Sequence, residues 1–280
     1  MVRNVLNIPL FLCSCLWLRI TSLSPFLWRT PRLCPWPYPF QHVHHTSQHS
    51  HLIPVFERLA LQRLRPYLAS SPNYCRLQSA YFTGRSTEIA LVKIVDDILG
   101  HIDGGSIVAL VSLDISAAFD MVDHNLLLER LRVEFGVTGA ARDWIASYLR
   151  SRSFFVRIGQ SSSRICLSNA GVPQGSVLGP VLFTVYFSPI GCLIESFGIE
   201  YHGYAEDTQL YTALKGDMGP GLDKLSQCTI ALQHWFWINS LLLNPIKSDV
   251  AFYETMPGLK RVDPINSVTV AGCAISISDS

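Results

Sequence analysis

Apolar residues recur along this chain with two different periods, and the alternation between them lays out its elements. The pattern becomes regular from about residue 53, where FERLALQRLRPYLA (56–69) places Phe56, Leu59, Leu64 and Leu68 at helical spacing, with Arg58, Arg63 and Arg65 between them. That pattern predicts an amphipathic helix with a basic face. STEIALVKIVDDILGHID opens at Ser86 with Glu88 close behind, a capped helix start, and Gly100 suits its end. SIVALVSLD is an unbroken run of branched and apolar residues and predicts a buried strand ending at Asp114. Helices are expected next over residues 125–135 and 140–150, on either side of the turn GVTG. FFVRIGQ and SRICLSNAG read as a hairpin around residues 160–163. The loop GVPQGSVLGP leads into an apolar helix, VLFTVYFSPIGCLI, and a second hairpin folds around residues 205–207. Residues 222–239 read as a helix and 249–253 as a last strand. Helices alternating with mostly short strands predict an α+β fold with one central sheet.

Residues 1–52 show no such period and read as an irregular or disordered segment. A short apolar run, VLNIPLFLCSCLWL, follows Arg3; it is too short to span a bilayer comfortably and carries Pro9. No clear small-x-small cleavage site follows it. LCPWPYPF and the histidine cluster HVHHTSQHSH come next, without a spacing that defines a metal site. Composition adds limits. The 280 residues can bury one large core or two smaller ones. At 49% hydrophobic and 15% charged, with mean hydropathy +0.26, the chain is apolar for a soluble protein, and part of the excess lies at its start. A net charge of +1 supplies no global field toward nucleic acid, so any basic surface is local. None of the eight cysteines falls in a Cys-x-x-Cys pair, which favours reduced, mostly buried thiols over zinc.

The candidate chemistry begins at HGYAEDTQLY, where Glu206 and Asp207 stand side by side at the tip of a tight turn. Adjacent acids repel, and a solvated turn is the ordinary home for such a pair. A third carboxylate and a substrate channel elsewhere in the chain would change that reading. Asp114 supplies the acid: it closes an apolar strand, either as a cap on the next segment or as a site residue. GVPQGSVLGP supplies a candidate floor, because Gly171, Gly175 and Gly179 permit close backbone approach of another molecule. Gln174, between Pro173 and Gly175, holds a polar amide on a stiff turn suited to a base or sugar; the alternative is a merely flexible loop.

LVSLDISAAFDMVDH, AGVPQGSVLGPVLF, YAED and LNPIKSD occur in that order, and together they resemble the palm motifs of reverse transcriptases, in particular those of non-LTR (LINE-type) retrotransposons. QSAYFTGRSTEIALVKI resembles that group's fingers motif, and FERLALQRLRPYL the segment before it. The likeness runs from residue 53 to 280. It implies a fingers-like helical region over 53–106 and a palm over 107–280, with a central, mainly antiparallel sheet packed on helices. The chain stops at Ser280, so the thumb and the family's endonuclease domain are expected to be absent. The activity implied is RNA-directed DNA polymerisation, with nucleotidyl transfer from deoxynucleoside triphosphates (dNTPs) to a primer 3′-hydroxyl. Such enzymes use two Mg²⁺ ions, with Mn²⁺ as a substitute, about 4 Å apart.

By the same resemblance Asp114, Glu206 and Asp207 are the metal ligands, and Phe119 is the bulky gate beneath the sugar. Gln174 and Gly175 lie beside nucleotide and template. Lys247 matches the lysine that protonates the leaving pyrophosphate; the alternative is a solvated lysine near a strand. Asp120 and Asp123 read as neighbours of the site, Asp123 as a helix cap. The implied partners are an RNA template, a DNA primer and dNTPs, with no stable protein partner and no membrane, in an intracellular setting. Arg58, Arg63, Arg65, Arg76, Arg85 and Lys93 in the fingers region could contact phosphates. So could Arg142, Arg150, Arg152, Arg157 and Arg164 in the palm, which would give sequence-independent, salt-sensitive affinity.

Two positions depart from the family pattern. The family writes Tyr-x-Asp-Asp, but here the bend is Tyr204-Ala205-Glu206-Asp207. One added methylene displaces a carboxylate by roughly 1 Å, a misplacement that can cost about 10²-fold. Phe82 stands where related sequences place a triphosphate-binding arginine, with Arg85 as a partial substitute. The chain is therefore expected to polymerise weakly or not at all. The alternative is a non-catalytic nucleic-acid-binding remnant of the same fold; a secreted or membrane-inserted disulfide protein is a third reading, resting on the N-terminal run alone.

Overall fold

The strand expected from SIVALVSLD is the centre of the molecule, and both of its faces are covered. The computed structural model describes residues 43–45, 53–82, 84–150, 152–173, 175–244, 247–254 and 267–276. Its first half runs β1 (Val43–His45), α1 (Ile53–Ser70), α2 (Thr87–Asp103), β2 (Ile107–Leu113), β3 (Ile115–Ser116), α3 (His124–Val133) and α4 (Gly139–Leu149). Then come β4 (Arg152–Ile158), β5 (Ser161–Ser162), β6 (Cys166–Ser168), α5 (Gly179–Phe187) and α6 (Pro189–Ser196). The chain continues through β7 (Glu200–Tyr204), β8 (Asp207–Leu214), α7 (Gly219–Ile238), β9 (Leu242–Leu243), β10 (Asp249–Tyr253), β11 (Ser267–Val270) and β12 (Cys273–Ser276).

β10, β2, β8 and β7 form the central sheet in that order, every pair antiparallel. Successive side chains of a strand point to opposite faces. Val108 and Leu110 accordingly pack with Ile94, Ile98 and Ile102 of α2. Ala109, Val111 and Leu113 face the other way, into the core built with Phe183, Leu232 and Phe236 from α5 and α7. A strand covered on both faces takes apolar residues on both of them, which is why β2, with Ser112 its one polar residue, shows no alternation. α5 is buried at every position except Pro180.

Several elements differ from the sequence reading. α2 does not stop at Gly100; it continues to Asp103, where Gly104 closes it with its N–H directed to Gly100 and Ile102 carbonyls. Ile102 is part of the α2 core face, and that burial carries the helix through the glycine. VLFTVYFSPIGCLI is two helices, broken at Ser188, because Pro189 lacks an N–H and crowds the preceding turn. Gly179–Ser196 is long and apolar enough to cross a bilayer by length and composition, but it is 67% buried inside the fold. In α1 the expected apolar face is turned out at Phe56 and Leu59, while Glu57 is only 3% exposed. Of the segment read as irregular, Val43–His45 is described, as a strand on β4. The pairings β3–β9 and β11–β12 had no counterpart in the sequence reading. The described cysteines Cys75, Cys166, Cys192, Cys228 and Cys273 are free thiols, but only Cys228 is fully buried.

Candidate active site

The site is built from the register of two hairpin strands against β2. Leu113 pairs with Thr208, the last rung of the β2–β8 ladder. One residue beyond that rung, Asp207 opens β8 and Asp114 follows directly on the end of β2. Tyr204 pairs with Asp207, leaving Ala205 and Glu206 as the two-residue turn. The three acids named from sequence therefore come from one edge of one sheet.

Their environment is dry. Asp207 is 7% exposed, and Glu206 Oε2 is buried without a hydrogen-bond partner. Burial pushes the Glu206 carboxyl above its ordinary range, and the Asp114 charge adds to the rise. Tyr81, whose φ is +66°, lies close enough for Glu206 and Asp207 to reinforce the upward shift that burial gives its hydroxyl. Among the described residues no three His, Cys, Asp or Glu side chains already stand together as a metal cage. The donor set is nonetheless all oxygen, which suits a hard cation such as Mg²⁺.

The LNPIKSD segment braces the strand end. Asn244 N–H donates to the Asp114 carbonyl at 2.9 Å, and Asp114 N–H donates to Ser248 Oγ at 3.4 Å. Lys247, exposed, sits between those two contacts in sequence, with its N–H directed back to the Asn244 carbonyl at 3.2 Å. Phe119 stacks on Phe183 at 4.3 Å, and Tyr81 meets its edge at 6.2 Å. Its carbonyl accepts from Val172 N–H at 2.9 Å, tying the strand end to the glycine loop. Gly171 has φ +86°, and a Cβ there would lie 2.9 Å from the Asp120 carbonyl. Gly175 also has positive φ, with open space around it; Gln174 lies outside the described residues. Asp123 caps α3, accepting from Asn125 and Leu126 N–H at 2.8 and 2.9 Å.

Arg85 is engaged. Its Nη1 donates to the carbonyls of Arg76 and Gln78 at 2.6 and 3.0 Å, and its guanidinium lies 4.7 Å from the Phe82 ring centre. Phe82 itself packs edge-on to Tyr74. Other basic residues divide similarly. Arg58, Arg63, Arg76, Arg150 and Arg164 are exposed, whereas Lys93 pairs with Asp97 and Arg152 binds the Tyr148 carbonyl at 2.8 Å. Tyr81 and Gln78 were not singled out from sequence. Both lie in QSAYFTGRST, whose likeness to the fingers motif was the available signal.

Three comparisons bear on this geometry. The family model for reverse transcriptase (RNA-dependent DNA polymerase) matches residues 43–269. A probable RNA-directed DNA polymerase from transposon BS of Drosophila melanogaster is 32% identical over 143 residues, 51% of this chain and 16% of that protein. The RNA-directed DNA polymerase from mobile element jockey of the same species is 29% identical over 186 residues, 65% of this chain and 20% of that one. The chain thus spans a fifth or less of the length of these relatives. Telomerase from Candida tropicalis, solved in complex with a TWJ fragment of telomeric RNA, matches with TM-score 0.51 at 15% identity, over 81% of this chain and 36% of that one. At that identity the likeness is one of fold. The family match covers well over half of the sequence, and the chain belongs to the reverse transcriptase (RNA-dependent DNA polymerase) family.

Proposed function

We propose that this chain carries the nucleotidyl-transfer site of an RNA-directed DNA polymerase of the non-LTR retrotransposon type, and that it turns over slowly. What supports the reading is that Asp114 and Asp207 stand just past the last rung at one end of the β2–β8 ladder, with the Asp114 charge acting on a Glu206 whose Oε2 is buried without a partner. Residues 53–106 serve as fingers and 107–280 as palm, acting on an RNA template, a DNA primer and dNTPs inside the cell.

Asp114, Glu206 and Asp207 would hold the divalent ions. An ion held there would supply electrostatic activation of the primer 3′-oxygen and charge neutralisation on the triphosphate. A cation would also answer the unpaired Glu206 oxygen. In the reaction the primer 3′-hydroxyl releases its proton to solvent, its oxygen forms a bond to the α-phosphorus, and the bond to pyrophosphate breaks. Lys247 gives the departing pyrophosphate its proton. Phe119, fixed against Phe183, excludes a 2′-hydroxyl from the sugar pocket. The glycine loop lets the nucleotide approach backbone without side-chain clash.

Slow turnover follows from three features. Glu206 carries its carboxyl one methylene farther than aspartate would. Phe82 brings no charge to the triphosphate. Arg85, its nearest substitute, is committed to two backbone carbonyls. Primer extension on an RNA template with Mg²⁺ or Mn²⁺ tests this. Short products that vanish with Asp114→Ala support the proposal; products indifferent to Asp114→Ala contradict it. Salt-dependent binding of RNA–DNA hybrid with no product from any variant would instead favour the non-catalytic binding reading.

A further inference from the structure

The acid turn is held from outside its own hairpin, by the segment that precedes α2. Gln78, 3% exposed, directs its whole carboxamide at the turn. Its Nε2 donates to the Ala205 carbonyl at 2.8 Å, and its Oε1 accepts from Ala205 N–H at 2.7 Å and from Ala80 N–H at 3.1 Å. Only a side chain with a donor and an acceptor in one plane can meet both backbone groups of a single residue. Glutamate lacks the donor, and methionine lacks both groups.

Ala205 is where such support is needed. Its φ is +56°, at the first central position of a two-residue hairpin turn, a place that favours glycine. An alanine there is strained by about 1–3 kcal/mol and persists only where its surroundings dictate the conformation. The surroundings are specific. Gly203 N–H donates to the Leu77 carbonyl at 2.8 Å, and Ser79 N–H to the Gly203 carbonyl at 2.9 Å. Ser79 Oγ and His202 Nε2 are 2.8 Å apart. A Cβ on Gly203 would lie 3.2 Å from Gln78 Nε2, so the glycine makes room for the amide.

We infer that Gln78 is a positioning residue for the acid turn: its amide holds Ala205 in the left-handed conformation and so sets the directions in which Glu206 and Asp207 present their carboxylates to a cation. The inference rests on the function proposed above. It also gives the fingers segment a direct mechanical hold on the palm acids, through a residue that touches neither substrate nor ion.

The test uses the full chain, with Mn²⁺ affinity read by electron paramagnetic resonance and amide hydrogen exchange read at residues 205–207. Gln78→Met should speed exchange at 205–207 while leaving β2 and β10 protected, and should weaken Mn²⁺ binding about 10-fold or more, as loss of groups that orient metal ligands does. Adding Ala205→Gly, which removes the strain, should recover at least part of that affinity. A role limited to general stability predicts no such recovery. Should Gln78→Met not fold, Gln78→Asn keeps both amide ends on a shorter stem and should shift both readouts in the same direction. Unchanged exchange at 205–207 in a folded variant overturns the inference. So does unchanged Mn²⁺ affinity where Asp114→Ala still weakens it. If Asp114→Ala has no effect on Mn²⁺, the proposed function fails; faster exchange reversed by Ala205→Gly would then still uphold Gln78 as the holder of the turn.

Discussion

Two glutamates in this molecule have been taken out of water with opposite outcomes. Glu57, in α1, directs Oε2 at the N–H groups of Val177 and Leu178, at 2.5 and 3.1 Å. Those groups lead into α5, and the first N–H groups of a helix have no partner of their own. Ser176 Oγ takes the Gly179 N–H at 2.9 Å, and Pro180 brings no N–H at all. The Val177, Leu178 and Gly179 N–H groups are thus met, and the carboxylate there is a structural cap supplied from another helix. At the β7–β8 turn, Glu206 has one oxygen buried without a donor, and its carboxyl is pushed upward by burial and by Asp114. The same side chain is satisfied in one place and left wanting in the other. Burial alone does not mark a site; a buried carboxyl oxygen without a donor, beside a second acid, is what makes Glu206 the candidate.

Exchanging the acids should separate the two roles. Glu206→Asp restores the shorter carboxylate and is expected to raise primer extension on an RNA template, by up to about 10²-fold. No gain would show that Phe82 or the engaged Arg85 limits the reaction instead. Glu57→Ala leaves the buried Leu178 N–H and the part-buried Val177 N–H without an acceptor and should lower stability by about 1–3 kcal/mol in urea titrations. Glu57→Gln, which keeps one oxygen acceptor, should cost less, and Glu206→Gln should cost nothing comparable.

The pH dependence sharpens the contrast further. His202 is held neutral: burial, then the nearby Lys93 and Arg85 charges, lower its pKa from 6.5 to about 4. A depressed folded pKa contributes stability that is present above 6.5 and lost as pH falls toward 4, with a slope of at most about 1.4 kcal/mol per pH unit. His202→Gln should flatten that limb. Glu206 acts with the opposite sign. Its folded pKa is raised, so its contribution is present below the ordinary value of 4.5 and lost as pH rises through the folded value. Glu206→Gln should remove this smaller loss, seen in denaturation curves taken above pH 4.5.

What could be read from the sequence follows the same division. The central strand, the 205–207 bend and the strand at 249–253, expected as the last although β11 and β12 follow it, were legible because each is a local pattern. The Asp123 cap was legible for the same reason, since its partners lie two and three residues away. The turning of α1 was not. Its apolar spacing pointed Phe56 and Leu59 inward, but Glu57 answers a helix start 120 residues later, and no local period encodes that. The hold of Gln78 on Ala205 spans 127 residues and was equally hidden. The break at Ser188 had its signal in Pro189, overridden in the reading by the apolar run around it. The acids themselves were visible as residue types; the meeting proposed for them rests on the β2–β8 register, which no local pattern encodes.

The most direct test of that meeting is anomalous diffraction from crystals of the full chain soaked in Mn²⁺. The account predicts a peak bounded by the carboxylates of Asp114 and Asp207, absent from Asp114→Ala crystals. A map with no peak at that sheet edge, or one whose peaks lie elsewhere and survive Asp114→Ala, would contradict it.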